Sequence, residues 1–124
     1  MTEAEVLELM REYYEGLFPK VCANCNRYFA TLREYILATR RLGPTVSYDA
    51  EIGDWNTLQP IGTVAYANCP CGSTLALSTE NMPHSQRLLL LKWVKIQTQE
   101  RGMRPEELLD YLRDELRNQI LSAR

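Results

Sequence analysis

No apolar run in this sequence exceeds four residues, as at Leu88–Leu91, whereas a bilayer-crossing helix needs about 20. No membrane partner is therefore expected. The basic start of a signal peptide is also missing: "MTEAEVLELMREYYEG" is acidic, so the chain is expected to be cytoplasmic. There is no internal repeat and no low-complexity tract, and no large excess of one charge. A net charge of −2 argues against an obligate binder of polyanions. Histidine occurs once, at His84, and Asn26 stands after Cys25 where a c-type haem attachment needs histidine.

What remains is an ordinary globular mixture of 45% hydrophobic and 24% charged residues over 124 positions, the size of one domain spanning 1–124. Charge is segregated along it. Residues 1–18 carry five Glu against Arg11, while 19–43 hold Lys20, Arg27, Arg33, Arg40 and Arg41 against Glu34. A second basic segment, 81–104, holds Arg87, Lys92, Lys95, Arg101 and Arg104 against Glu100. Solvated helix faces account for such segments, and a nucleic-acid footprint is the sharper alternative.

Thr2 and Glu5 form a capping box, followed by Val6, Met10, Tyr13 and Leu17 at helical spacing, which predicts a helix over 3–17 closed by Pro19. Leu7, Tyr14 and Phe18 double its apolar stripe. A second helix is expected from Asn26 as N-cap to Leu42, with Phe29, Leu32 and Ile36 on one stripe and Gly43–Pro44 as the stop. From Thr45 to Ile52 the period becomes two, predicting a strand with Val46, Tyr48, Ala50 and Ile52 inward. "IGTVAYAN" and "STLALST" flank "CPCG" and read as a hairpin with Cys69 and Cys71 at its tip. His84–Arg101 returns to helical spacing, with Leu89, Leu90, Trp93, Val94 and Ile96 apolar. Gly102 breaks it, and Pro105 opens a last helix whose Leu109, Leu112, Leu116 and Ile120 form one stripe. The expected fold is α+β in the order ααβββαα, helical hairpins flanking a small three-stranded antiparallel sheet. Such a sheet is marginal alone, and a four-cysteine metal site would pin it to the helices.

The candidate ligands are Cys22 and Cys25 in "VCANC", and Cys69 and Cys71 in "NCPCGSTL". Zinc takes four ligands tetrahedrally, and a C-x-x-C turn delivers two thiolates to one ion. Gly72 can adopt positive φ and aim its N–H at a thiolate. The pairing resembles the knuckles of zinc ribbons and treble clefs, whose usual form is C-P-x-C-G; the second pair here is one residue shorter. One Zn2+ per chain is the cofactor this implies. An iron–sulfur cluster is the lesser alternative, because no familiar ferredoxin spacing is present. A thiol redox switch would use the same four sulfurs.

Four thiolates close the coordination shell, so hydrolytic chemistry at the ion would need one to leave. No enzyme is expected. His84 reads as a polar helix-entry residue, and Asp49, Glu51 and Asp54 as a wet strand face rather than an acid/base group. Trp93 reads as core and Trp55 as the cap of a core edge or a partner anchor. Tyr14 and Tyr111 are expected at exposed edges of terminal helices that have apolar surface to spare for a protein partner or a second copy. The functional expectation is a non-enzymatic zinc-binding domain acting in protein interaction or regulation. Its alternatives are a nucleic-acid-binding regulator using Arg27, Arg33, Arg40, Arg41, Lys92 and Lys95, and a thiol-based redox sensor.

Overall fold

Thr2 Oγ1 accepts from the Glu5 N–H at 3.2 Å and the Glu5 carboxylate accepts from the Thr2 N–H at 3.0 Å, so the capping box opens α1 (Glu3–Glu15) as its sequence dictates. The computed structural model describes residues 1–122. Val6, Leu7, Met10 and Tyr14 of α1 are buried. The doubled stripe is thus used inside the molecule, and Tyr14, expected at an exposed edge, is only 6% exposed.

No helix begins at Asn26. That residue has φ +61°, a left-handed conformation outside the extended range of an N-cap, and it lies between two short paired strands, β1 (Lys20–Val21) and β2 (Tyr28–Phe29). The second helix is α2 (Leu32–Ala38), capped by the Thr31 hydroxyl, which accepts from the Glu34 N–H. Gly43–Pro44 is not a helix stop either. Both residues lie within β3 (Arg40–Ser47), whose register against the next strand shifts between Leu42 and Val46. The shift is a bulge, and Gly43 at φ +70° supplies the turn it needs.

The expected strand over Thr45–Ile52 stops early and with the opposite face inward. Ser47 Oγ accepts from the Ala50 N–H and starts the short α3 (Tyr48–Glu51); Thr45 and Ser47 are buried, while Tyr48 and Ile52 face outward. Asp49 is not on a wet face. It is 2% exposed, and its carboxylate accepts from the N–H groups of Ile61 and Gly62 at 2.9 and 3.0 Å, holding the loop that leads into the sheet.

The hairpin forms as the turn signals predict: β4 (Thr63–Asn68) and β5 (Thr74–Ser78) pair antiparallel from Val64 opposite Ser78 to Asn68 opposite Thr74. With β3 they make a three-stranded antiparallel sheet in the order β3-β4-β5. Then follow α4 (His84–Arg101), closed by Gly102 in the left-handed conformation, and α5 (Pro105–Ser122). α5 packs on β3 and against α1, α2 and α4, so its Leu108, Leu109, Leu112, Leu116 and Ile120 are all buried. α4 buries Leu90, Leu91, Trp93 and Val94. Leu89 and Ile96, expected in its stripe, are each half exposed; seven residues apart, they share a flank that the packed face leaves out. The fold is α+β, with helices around a small antiparallel sheet and four clustered cysteines.

Candidate metal centre

The first cysteine pair lies in the β1–β2 turn. The Asn26 N–H donates to the Cys22 carbonyl at 2.8 Å and the Cys22 N–H to the Arg27 carbonyl at 2.9 Å. This closed turn curls Val21–Arg27 around one point, and the positive φ of Asn26 completes it. The second pair lies in the β4–β5 turn, where the Cys69 N–H donates to the Ser73 carbonyl at 2.9 Å. Gly72, at φ +94°, donates its N–H to the Cys69 carbonyl at 2.8 Å rather than to a thiolate as expected. Each turn is closed by a backbone hydrogen bond back to the carbonyl of its first cysteine, and each brings its two sulfurs toward the other pair.

The sulfurs meet. All four Sγ atoms lie within 4.8 Å of one another, with Cys22 to Cys71 and Cys25 to Cys69 each at 3.7 Å. Zn–S bonds of ~2.3 Å at tetrahedral angles place sulfurs about 3.8 Å apart, and a disulfide would need about 2.05 Å. The four are free thiols positioned to bind a metal ion. Cys22 and Cys69 are buried among core residues, at 1% and 3% exposure, while Cys25 and Cys71 face outward. The site is a seam between core and surface.

Local donors prepare the sulfurs for charge. Hydrogen bonds from the Ser73 hydroxyl, the Asn24 amide and the Ser73 N–H bring the Cys71 thiol down to about 5; the Asn24 Nδ2 lies 3.5 Å from it. Backbone N–H groups of Cys25 and Asn24 lower Cys22 as well. Cys69 accepts from the Cys71 N–H, yet burial and the three other sulfurs outweigh this and lift it to about 11. Crowded thiols cannot all ionise without a cation among them. A divalent metal ion would remove that conflict by charge compensation. Asn24 and Ser73 were not singled out in the sequence; their positions, one residue before Cys25 and two after Cys71, are the signal that marks them.

The remaining sequence candidates lie elsewhere. His84 is exposed at the start of α4. Trp93 is buried in the core and Trp55 packs against its edge. Tyr111 donates to Glu3 at 3.0 Å, and the Arg101 guanidinium sits over both its ring and that of Trp93. Of the six basic residues considered for nucleic acid, Arg33 donates to the carbonyls of Ile120 and Leu121. Arg41 pairs with Asp114, and Lys95 donates to Asn56. Among the described residues no helix is long and apolar enough to cross a membrane. Comparison with known proteins finds no matching family model, no similar curated protein and no similar solved structure.

Proposed function

We propose that Cys22, Cys25, Cys69 and Cys71 hold one zinc ion per chain, and that this ion is structural in a non-enzymatic domain working through protein interaction or regulation. The observation that carries the reading is the cluster of four sulfurs within 4.8 Å of one another, two of the pairs at 3.7 Å, drawn from turns 44 residues apart. Bound zinc supplies a cross-link between the β1–β2 turn and the sheet, together with compensation of the thiolate charge. Four thiolates leave no open position for water or substrate, which supports a structural role over a catalytic one.

The interaction half of the reading has separate support. Ile52, Leu58 and Ile61, close together in sequence around the segment joining α3 to β4, are 66%, 75% and 50% exposed, and a contiguous apolar surface there would serve a protein partner. The engaged positions of Arg33, Arg41 and Lys95 favour a protein partner over nucleic acid. Elemental analysis of protein purified under reducing conditions tests the metal: one zinc per chain is expected, and a metal-free or iron-loaded folded chain would overturn the reading. Leu58→Glu tests the surface, and should weaken self-association or partner capture while zinc content stays at one. Unchanged association would move the interface elsewhere.

A further inference from the structure

We infer that a cavity between α2, the sheet and α5 is a binding site for a small amphipathic carboxylate. Its volume is about 430 Å3, within the range of small-molecule pockets. Met10, Leu32, Leu77, Leu109 and Leu116 supply apolar walls from four different elements. This inference goes beyond the metal reading and does not rest on it.

The polar lining is what selects the ligand. Buried polar atoms in folded proteins are nearly all hydrogen-bonded, yet four buried side-chain atoms among the described residues lack a partner: Tyr35 Oη, Thr45 Oγ1, Arg87 Nε and Arg113 Nη1. Tyr35, Thr45 and Arg113 all line this one cavity. Tyr35 is 4% and Thr45 5% exposed, so bulk water does not satisfy their hydroxyls. The Arg113 guanidinium is anchored through Nη2, which donates to the Tyr66 carbonyl at 3.1 Å, leaving Nη1 unpartnered. Tyr35 and Arg113 are close enough for each to shift the other's ionisation.

These groups make a site rich in donors and poor in acceptors. Burial pushes the Tyr35 phenol up to about 12, so it remains an O–H donor at neutral pH. Arg113 remains a cation although burial pulls it down. Neighbouring carboxylates are committed: Asp110 accepts from the Thr45 N–H at 2.8 Å, and Asp114 pairs with Arg41 at the mouth. The three unpartnered atoms have almost no accessible surface in this structure, so a carboxylate reaches them by side-chain rotation at the cavity wall, where its two acceptor oxygens suit two hydroxyls and one N–H and its single charge suits the single half-buried guanidinium. A phosphate dianion would leave one charge unmatched at the buried end, where Arg113 is the one lining arginine not at the exposed rim. Arg40 and Arg117 line the exposed rim and draw an anion inward, while the leucines take an apolar body.

Octanoate titrated into the metal-loaded full chain, followed by methyl NMR and calorimetry, tests the assignment, with octanol, octylammonium and octyl phosphate as comparisons. Octanoate should shift the methyl signals of Leu32, Leu77 and Leu109, and octanol and octylammonium should bind at least about tenfold more weakly, as expected when a charged hydrogen bond is lost. Tyr35→Phe and Thr45→Val should each lower octanoate affinity about tenfold. Each should also leave the melting temperature unchanged or raise it, because a merely structural hydroxyl would lower it when deleted. If one variant fails to fold, the other carries the test. Equal binding of octanol and octanoate, tighter binding of octyl phosphate, or no methyl shift at about 10 mM octanoate, where a millimolar site saturates, would each overturn the assignment.

Discussion

Removing the metal from the reduced protein should lower its melting temperature by at least about 15 °C. The magnitude follows from the geometry. An ion shared by Cys25 and Cys69 cross-links positions 44 residues apart, and chain entropy assigns a cross-link of that span about 4 kcal/mol at 25 °C. Unfolding entropy near 2.1 cal/mol/K per residue gives about 260 cal/mol/K for this chain of 124 residues. Their quotient is about 15 °C. That is a lower bound, because the Cys22–Cys25 and Cys69–Cys71 turns lose their organising centre as well, and structural zinc contributes on the order of 10 kcal/mol or more in small domains. Domain stabilities lie near 5–15 kcal/mol, so complete unfolding at 37 °C is the expected upper outcome. The assay is thermal melting by circular dichroism, before and after chelator treatment, with reductant present throughout and zinc restored at the end. A metal-free reduced protein melting within about 3 °C of the loaded one, less than 1 kcal/mol by the same conversion, would refute the cross-link.

Three further outcomes are expected. Cys71→Ser should lose zinc and most of the fold, whereas His84→Ala, at an exposed helix start, should change stability by under about 0.5 kcal/mol; zinc content and denaturant melts distinguish them. At a temperature where the metal-free chain is still folded, Cys71 should be alkylated by iodoacetamide with a half-maximal rate near pH 5 and Cys69 only toward pH 11, read by mass spectrometry at each site. The sign for stability follows: the depressed Cys71 thiol favours the folded metal-free chain at alkaline pH, and this is lost as pH falls from about 9 through about 5. The raised Cys69 thiol acts oppositely, its contribution being present below about 9 and lost as pH rises through about 11. Asp49→Asn should cost about 2–4 kcal/mol in urea unfolding, because an amide can accept from only one of the Ile61 and Gly62 N–H groups and sets a donor against the other. A cost under about 0.5 kcal/mol, typical of a surface change, would return Asp49 to the wet face that its alternating neighbours suggested.

Local chemistry was legible wherever a residue's role depends only on its near neighbours in the chain. The Thr2–Glu5 capping box, the Gly102 cap, Pro105 at the start of α5 and the stripe from Leu109 to Ile120 each act within one or two helical turns, and each occurs as read. The "CPCG" turn likewise places Cys69 and Cys71 at a hairpin tip. Errors arose where one pattern serves two structures. Gly43–Pro44 suits a helix stop as well as a bulge, and only pairing of β3 with β4 decided between them. Asn26 reads as a cap unless the turn closing on Cys22 demands positive φ.

Tertiary structure alone decided which faces were covered. The alternation from Thr45 to Ile52 contains apolar and polar residues in equal measure; packing of β3 turned Thr45 and Ser47 inward, and Asp49 of α3 turned in to hold the loop at Ile61 and Gly62, while Glu51 stayed exposed. It also decided that α1 spends its doubled stripe on the core, because α5 lies against it. The meeting of Tyr35, Thr45 and Arg113 around one cavity belongs to the same class. They come from a helix, a strand and another helix, and no spacing in sequence encodes their approach. The two cysteine motifs were visible as motifs because each turn is local; that their sulfurs stand 3.7 Å apart across 44 residues depends on how the β1–β2 turn docks on the sheet, a matter of long-range packing that periodicity does not carry.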